Sequence, residues 1–140
     1  MSKKQILFIL LFLCFFLCSK AQDKNINEMA TVYFMRATGA AAFGTFNTFI
    51  DDSLVCHLNN NRYSIHPLHS GLHTFQVRFN GKKTNKKHQI LSLEVEANKK
   101  YYIFIDIKSH AYYGSLSLLE ITENSAKKMF ASLKEDSNCK

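Results

Sequence analysis

Over residues 73–79 the side chains alternate strictly, with His73, Phe75, Val77 and Phe79 on one side and Thr74, Gln76 and Arg78 on the other. A backbone that sends successive side chains to opposite faces is a β-strand, and a strand with one oily face has to lay that face against another layer. The pattern returns over residues 90–97, where Leu91, Leu93 and Val95 alternate with Ser92, Glu94 and Glu96. Apolar, β-branched and aromatic runs recur at 31–36, 45–50, 54–58, 62–65, 101–107 and 112–121, with Gly, Asn, Asp and Lys clusters between them. That rhythm, with no regular exchange of strands and helices, predicts an all-β fold: a small antiparallel β-sandwich of about seven or eight strands.

The punctuation agrees with this reading. Asp51-Asp52-Ser53 predicts a hairpin turn, Asn59-Asn60-Asn61 a second turn through the tolerance of Asn for left-handed backbone angles, and Pro67 with Ser70-Gly71 a further loop. Near the C-terminus the period changes: Ala126, Met129, Phe130 and Leu133 stand at helical spacing, with Lys127, Lys128 and Lys134 elsewhere. A short amphipathic helix is therefore expected from Thr122 or Asn124, its apolar stripe packing on the sheet or covering an open edge, with a membrane or partner contact as the alternative.

The first residues read as a secretory signal peptide. Lys3 and Lys4 precede an apolar run over 6–17, and Ser19 and Ala21 supply the small residues a signal peptidase requires. The run is shorter than the ~20 residues a membrane-spanning helix needs. The expected organisation is residues 1–21 as signal, 22–29 as a flexible leader, 30–121 as the sandwich and 122–140 as the C-terminal helix and tail. Cys14 and Cys18 follow the bulky Leu13 and Leu17, which disfavours a lipid anchor and favours a soluble periplasmic or extracellular form. The formal charge of +7 includes the leader lysines Lys3, Lys4 and Lys20, so the remainder carries +4. Export argues against nucleic acid as a partner and leaves an envelope protein or an anionic surface component.

Two cysteines remain after such a cleavage. An oxidising compartment permits a Cys56–Cys139 disulfide. The simpler packing reading keeps Cys56 as a buried small hydrophobe alternating with Leu54 and Leu58, and leaves Cys139 in a frayed tail.

Certain short segments carry a resemblance. Ala30-x-Val32-Tyr33-Phe34-x-Arg36, Ile50-Asp51-Asp52-x-Leu54, Leu58-x-Asn60-Asn61-x-Tyr63 and Gly71-x-His73-x-Phe75, continued by Glu94-Val95-Glu96-Ala97 and Tyr101-Tyr102-Ile103, resemble the bacterial domain-of-unknown-function family numbered 2846. Its members look like PEGA-type β-sandwiches. The resemblance implies a small exported or envelope-tethered sandwich and brings no catalytic residues with it. Its motifs are turns and core positions, which describe a fold more than a site.

The chemistry-bearing candidates are few. Lys82, Lys83, Lys86 and Lys87, with His88, form the sharpest charge cluster, fitting either a solvated hairpin tip or weak attraction to an anionic surface. His66, His69 and His73, with His57 nearby, are the only set that suggests metal ligation, but no regular spacing forces their rings together. Tyr101, Tyr102, Tyr112 and Tyr113 offer stacking surfaces, of which at most one per adjacent pair should join the core. Ser70-Gly71 lacks the flanking glycine of a nucleophile elbow, and Cys56 sits among apolar residues. Asp51 and Asp52 are neighbours in a turn rather than a catalytic pair. These features point to a non-enzymatic binding or accessory module without a cofactor; the alternative is a periplasmic metal- or ligand-binding protein using the histidines.

Overall fold

The computed structural model of the chain describes residues 29–37, 44–79, 89–109, 114–137 and 139. The expectations for the signal peptide, the leader before Met29, Lys82, Lys83, Lys86, Lys87, His88, Tyr112 and Tyr113 lie outside the described residues. The elements are β1 (Met29–Arg36), β2 (Phe46–Ile50), β3 (Ser53–Leu58), β4 (Arg62–His69), β5 (Gly71–Phe79), β6 (Ile90–Val95), β7 (Lys100–Ser109), β8 (Gly114–Ile121), α1 (Glu123–Phe130) and β9 (Lys134–Glu135). They form a five-stranded sheet, β8-β7-β1-β4-β9, and a four-stranded sheet, β3-β2-β5-β6. The all-β sandwich with a C-terminal helix is thus present, in nine described strands.

The main core fills the space between the sheets. Ala30, Val32 and Phe34 of β1 meet Phe46, Ile50, Cys56, Leu58, Phe75 and Val77 from the smaller sheet, with Ile103, Ile105, Leu116 and Leu118 beside them. Phe34 and Phe75 touch across the gap edge to face, their ring centroids 6.0 Å apart, a geometry that aligns ring edges with the electron-rich faces.

A second core lies on the opposite side of the five-stranded sheet. Met35 and Tyr102 are buried there under Ala126 of α1 and Leu133 just beyond it, with Tyr33, Tyr63, Phe104, Ile121, Met129 and Phe130 around them. Phe130 stands edge-on to Tyr63 at 4.9 Å and to Tyr33 at 5.7 Å, and Tyr33 stacks on Tyr102 at 5.0 Å. The helix starts where the sequence predicts: Thr122 is its N-cap, with Oγ1 accepting from the Ser125 N–H. Lys127 pairs with Glu123 one turn earlier at 3.0 Å. The predicted apolar stripe packs on a sheet face.

The turns follow residue chemistry. Asp51 and Asp52 both have positive φ, 48° and 61°, the signature of the two-residue hairpin whose twist matches its strands. Asn61, Gly71 and Asn98, with φ of 54°, 142° and 62°, each stand where the chain leaves one sheet for the other.

Three details differ from the sequence reading. The sheets are not wholly antiparallel: β1 pairs parallel with β7, and β4 pairs parallel with β9. Residues 66–69, expected in a loop with Pro67, continue β4 to His69. Pro67 is tolerated because it opposes Thr31, whose N–H is directed to Lys99 O on the other side, so the proline nitrogen faces the sheet edge where no ladder donor is needed. Cys56 and Cys139 are joined in a disulfide, so the packing reading that leaves Cys139 in a frayed tail does not hold; Cys56 is buried in the core, and the tail is brought to it.

Two outcomes follow for stability. Phe75→Ala, which empties a fully buried ring site, should destabilise the protein by about 3–5 kcal/mol in urea unfolding. Burial, reinforced by Glu135 near Tyr63 and Glu123 near Tyr102, raises the pKa of both phenols. The fold therefore favours the neutral ring: its contribution is whole below the unfolded value of about 10 and disappears as pH rises through the folded value. A Tyr63→Phe, Tyr102→Phe variant should lose less stability than the parent between neutral and strongly alkaline pH, and the parent should show two tyrosines ionising late by absorbance.

Candidate functional site

The hairpin turn between β2 and β3 gathers a cluster of polar side chains. Asp51 accepts a hydrogen bond from the Thr74 N–H at 2.9 Å through Oδ1, and its Oδ2 lies 2.6 Å from His73 Nδ1. The other ring nitrogen, Nε2, is 3.0 Å from the His69 carbonyl. Both neighbours are acceptors, so each nitrogen donates when the imidazole carries two protons. The Thr74 N–H, supported by His73 and opposed by burial, holds the Asp51 carboxyl below its ordinary pKa. The arrangement ties the β2–β3 turn to the crossing between β4 and β5. It does not form a catalytic dyad, because the nitrogen that would accept a nucleophile's proton is engaged by a carbonyl.

Asp52 turns to the outer face of the four-stranded sheet. It accepts from Arg78 Nη2 at 2.9 Å and Gln76 Nε2 at 3.1 Å. The Arg78 guanidinium lies 3.7 Å from the centroid of the Phe49 ring, a cation–π stack that shields a ring on an otherwise open face. By strand register, Leu54, Phe49, Gln76 and Ile90 form a row across all four strands. Leu72, 74% exposed, lies on the same face. This face combines exposed aliphatic groups with a braced arginine.

The predicted histidine set does not converge. His66 points into the main core, edge-on to Phe34, with Nε2 2.9 Å from Ser64 Oγ. His69, three positions later on the same strand, sits on the opposite face and is exposed. His73 is held by Asp51, and His57 lies against Asn47 Oδ1 at 2.7 Å. The metal reading based on His66, His69 and His73 therefore fails on geometry. Among the described residues the grouping with ligand spacing is Cys56, Asp136 and Cys139, whose ligand atoms lie within 4.8 Å of one another. Its two sulfurs are bonded to each other, so neither is a thiolate ligand. Asp136 Oδ2 accepts from the Asn59 N–H and Nδ2 at 2.9 and 3.0 Å.

Sequence reasoning missed Arg36. Its side chain is fully buried, donates through Nη1 to the carbonyls of Gly44 and Leu58 at 2.8 and 3.0 Å, and stacks on Phe46. Burial pulls its pKa below the ordinary value. The signal was present in the alternation, since Arg36 shares its face of β1 with Val32 and Phe34. The tyrosine expectation also shifts. Tyr102 is buried beneath the helix, while Tyr101 packs against the main core and its hydroxyl accepts from the Glu96 N–H at 2.9 Å. Both neighbours find cover because this sheet has a core on each side.

No helix among the described residues is long and apolar enough to cross a membrane. In comparisons with known proteins, no family model and no curated protein matches the chain.

Asp51→Asn keeps an acceptor for Thr74 and tolerates the positive φ but removes the charge. Because the folded carboxyl is more acidic than the unfolded one, its contribution is present above the usual carboxylate range and is lost as pH falls through the depressed folded value. The parent should be more stable than Asp51→Asn at pH 5, and the gap should shrink toward pH 2 in parallel denaturation series.

Proposed function

We propose that the chain is an exported, non-enzymatic β-sandwich module of the bacterial cell envelope, acting by binding another envelope protein or an anionic surface component. The observation that carries this reading is the Cys56–Cys139 disulfide, because such bonds persist in oxidising compartments outside the cytoplasm. It accords with residues 1–21 as a signal peptide and with the resemblance to the PEGA-like family numbered 2846. The non-enzymatic part rests on how the described acid and base groups are used. His73, Asp51, Asp52, His66 and Asp136 all brace turns or fill the core. Contact then falls to surfaces: the outer face of the four-stranded sheet with Leu72, Leu54 and Ile90, and the lysines at 82, 83, 86 and 87.

Expression of the full chain in a bacterium with an outer membrane tests both halves. The product should appear in the periplasm or medium, beginning at Gln22 by N-terminal sequencing, and should retain envelope material at low salt. Alanine at Lys82, Lys83, Lys86 and Lys87 together should weaken that retention at least several-fold. A cytoplasmic, uncleaved product would overturn the export reading, and retention unchanged by the four alanines would remove the lysines from the contact.

A further inference from the structure

The segment from Thr122 to Cys139 runs as a strap across three parts of the fold. It leaves β8, crosses the outer face of the five-stranded sheet as α1, adds β9 to the edge of β4, and ends at the sulfur of Cys56 on β3 of the other sheet. What it covers is the second core alone: Met35, Tyr102, Tyr33, Tyr63, Phe104 and Ile121. The main core between the sheets contains no strap residue other than Cys139. The two cores are therefore separable, one belonging to the sandwich and one to the strap.

Apart from the disulfide, the strap holds on by short-range contacts. Lys134 N–H donates to Asn61 O at 3.1 Å, Asp136 N–H to Tyr63 O at 2.9 Å, and Arg62 Nη1 to the Glu135 carbonyl at 3.2 Å. The Asp136 carboxylate receives Asn59, and Phe130 packs among tyrosines. The helix has eight residues, too few to persist unsupported in water, and Ala126 is its one buried residue.

We propose that the Cys56–Cys139 bond is a redox latch that holds this strap over the aromatic face of the five-stranded sheet. The reaction is thiol–disulfide exchange with a dithiol reductant. One thiolate of the dithiol attacks a sulfur of the pair, forming a mixed disulfide, and its second thiol resolves that bond. Cys56 and Cys139 take up two electrons and two protons as thiols while the reductant becomes a disulfide. With the bond intact, an opened strap is still tethered at both ends, a loop of about eighteen residues. Freeing one end increases the population of the open form by about a hundred-fold in the chain-entropy account. Opening bares the Tyr33–Tyr102 stack and the Tyr63 ring and leaves the sandwich folded. The latch goes beyond the envelope reading and does not depend on it.

Native-state hydrogen exchange on the full chain, oxidised and after reduction with dithiothreitol, tests this over a series of low denaturant concentrations. In the reduced protein the amides of Leu133, Lys134 and Asp136 should exchange about a hundred-fold faster than in the oxidised protein, with a denaturant dependence shallower than that of global opening because only the second core is exposed. Amides at the centres of β1 and β7 should still exchange only through denaturant-sensitive global opening. Cys139→Ser should reproduce the strap behaviour without reductant; if that variant fails to fold, the reductant titration of the parent stands as the measurement. Strap amides that follow β1 and β7 throughout the series in the reduced protein would make the bond a global staple and overturn the latch.

Discussion

The rest of the structure is arranged around β1, which contributes to two cores, one on each side. Ala30, Val32 and Phe34 require a sheet opposite them, and Tyr33 and Met35 require something behind. One layer cannot serve both demands. The four-stranded sheet answers the first and the C-terminal helix the second, giving a sheet–sheet–helix stack in which the five-stranded sheet is the middle layer. A central strand with two cores reads as a nearly continuous apolar run, and Met-Ala-Thr-Val-Tyr-Phe-Met-Arg is such a run.

That arrangement explains which parts of the fold are legible in the sequence. β5 and β6 lie in the outer, single-core sheet, so Phe75, Val77, Leu91 and Leu93 alternate cleanly with polar neighbours. The Asp51-Asp52 hairpin and the helix at Thr122 are also readable, because turn and cap chemistry is local. Pairing direction is not local. Nothing in Thr31–Met35 announces a parallel partner at Lys100–Phe104, and the two-residue β9 is below the length at which periodicity speaks. Pro67 misleads because it reads as a breaker; only the stretch of β4 beyond the two residues paired with β9, open on its outer side, makes room for it. Parity along that same extended strand puts His66 and His69 on opposite faces.

Charged and polar side chains in this molecule act mainly as braces. Asp51 and Asp52 occupy left-handed positions that aspartate tolerates, and their carboxylates then reach β5 from the tip of the neighbouring hairpin. Arg36 performs the equivalent task inside, tying Gly44 and Leu58 backbone carbonyls to the end of β1. A buried guanidinium is tolerated only where acceptors surround it, so its replacement by an apolar side chain would strand two carbonyls as well as remove a charge. The disulfide had no local signature either: the two cysteines stand 83 residues apart, and alternation around Cys56 reads equally well as ordinary packing.

The parallel contact between β1 and β7 also sets an order of events for assembly. β1 finds its antiparallel neighbour only when Arg62–His69 is available, and its other flank stays bare until Lys100 and the residues after it have been made. Contacts that span about half of the sequence, as Thr31 to Lys100 does, close slowly, because the intervening segment must surrender its freedom first. The five-stranded sheet is thus completed late, after Lys100–Phe104 has emerged, although local pairs such as the β2–β3 hairpin need no such delay. In a molecule with this connectivity the middle layer is gathered from distant segments, while the outer sheet begins from a local hairpin.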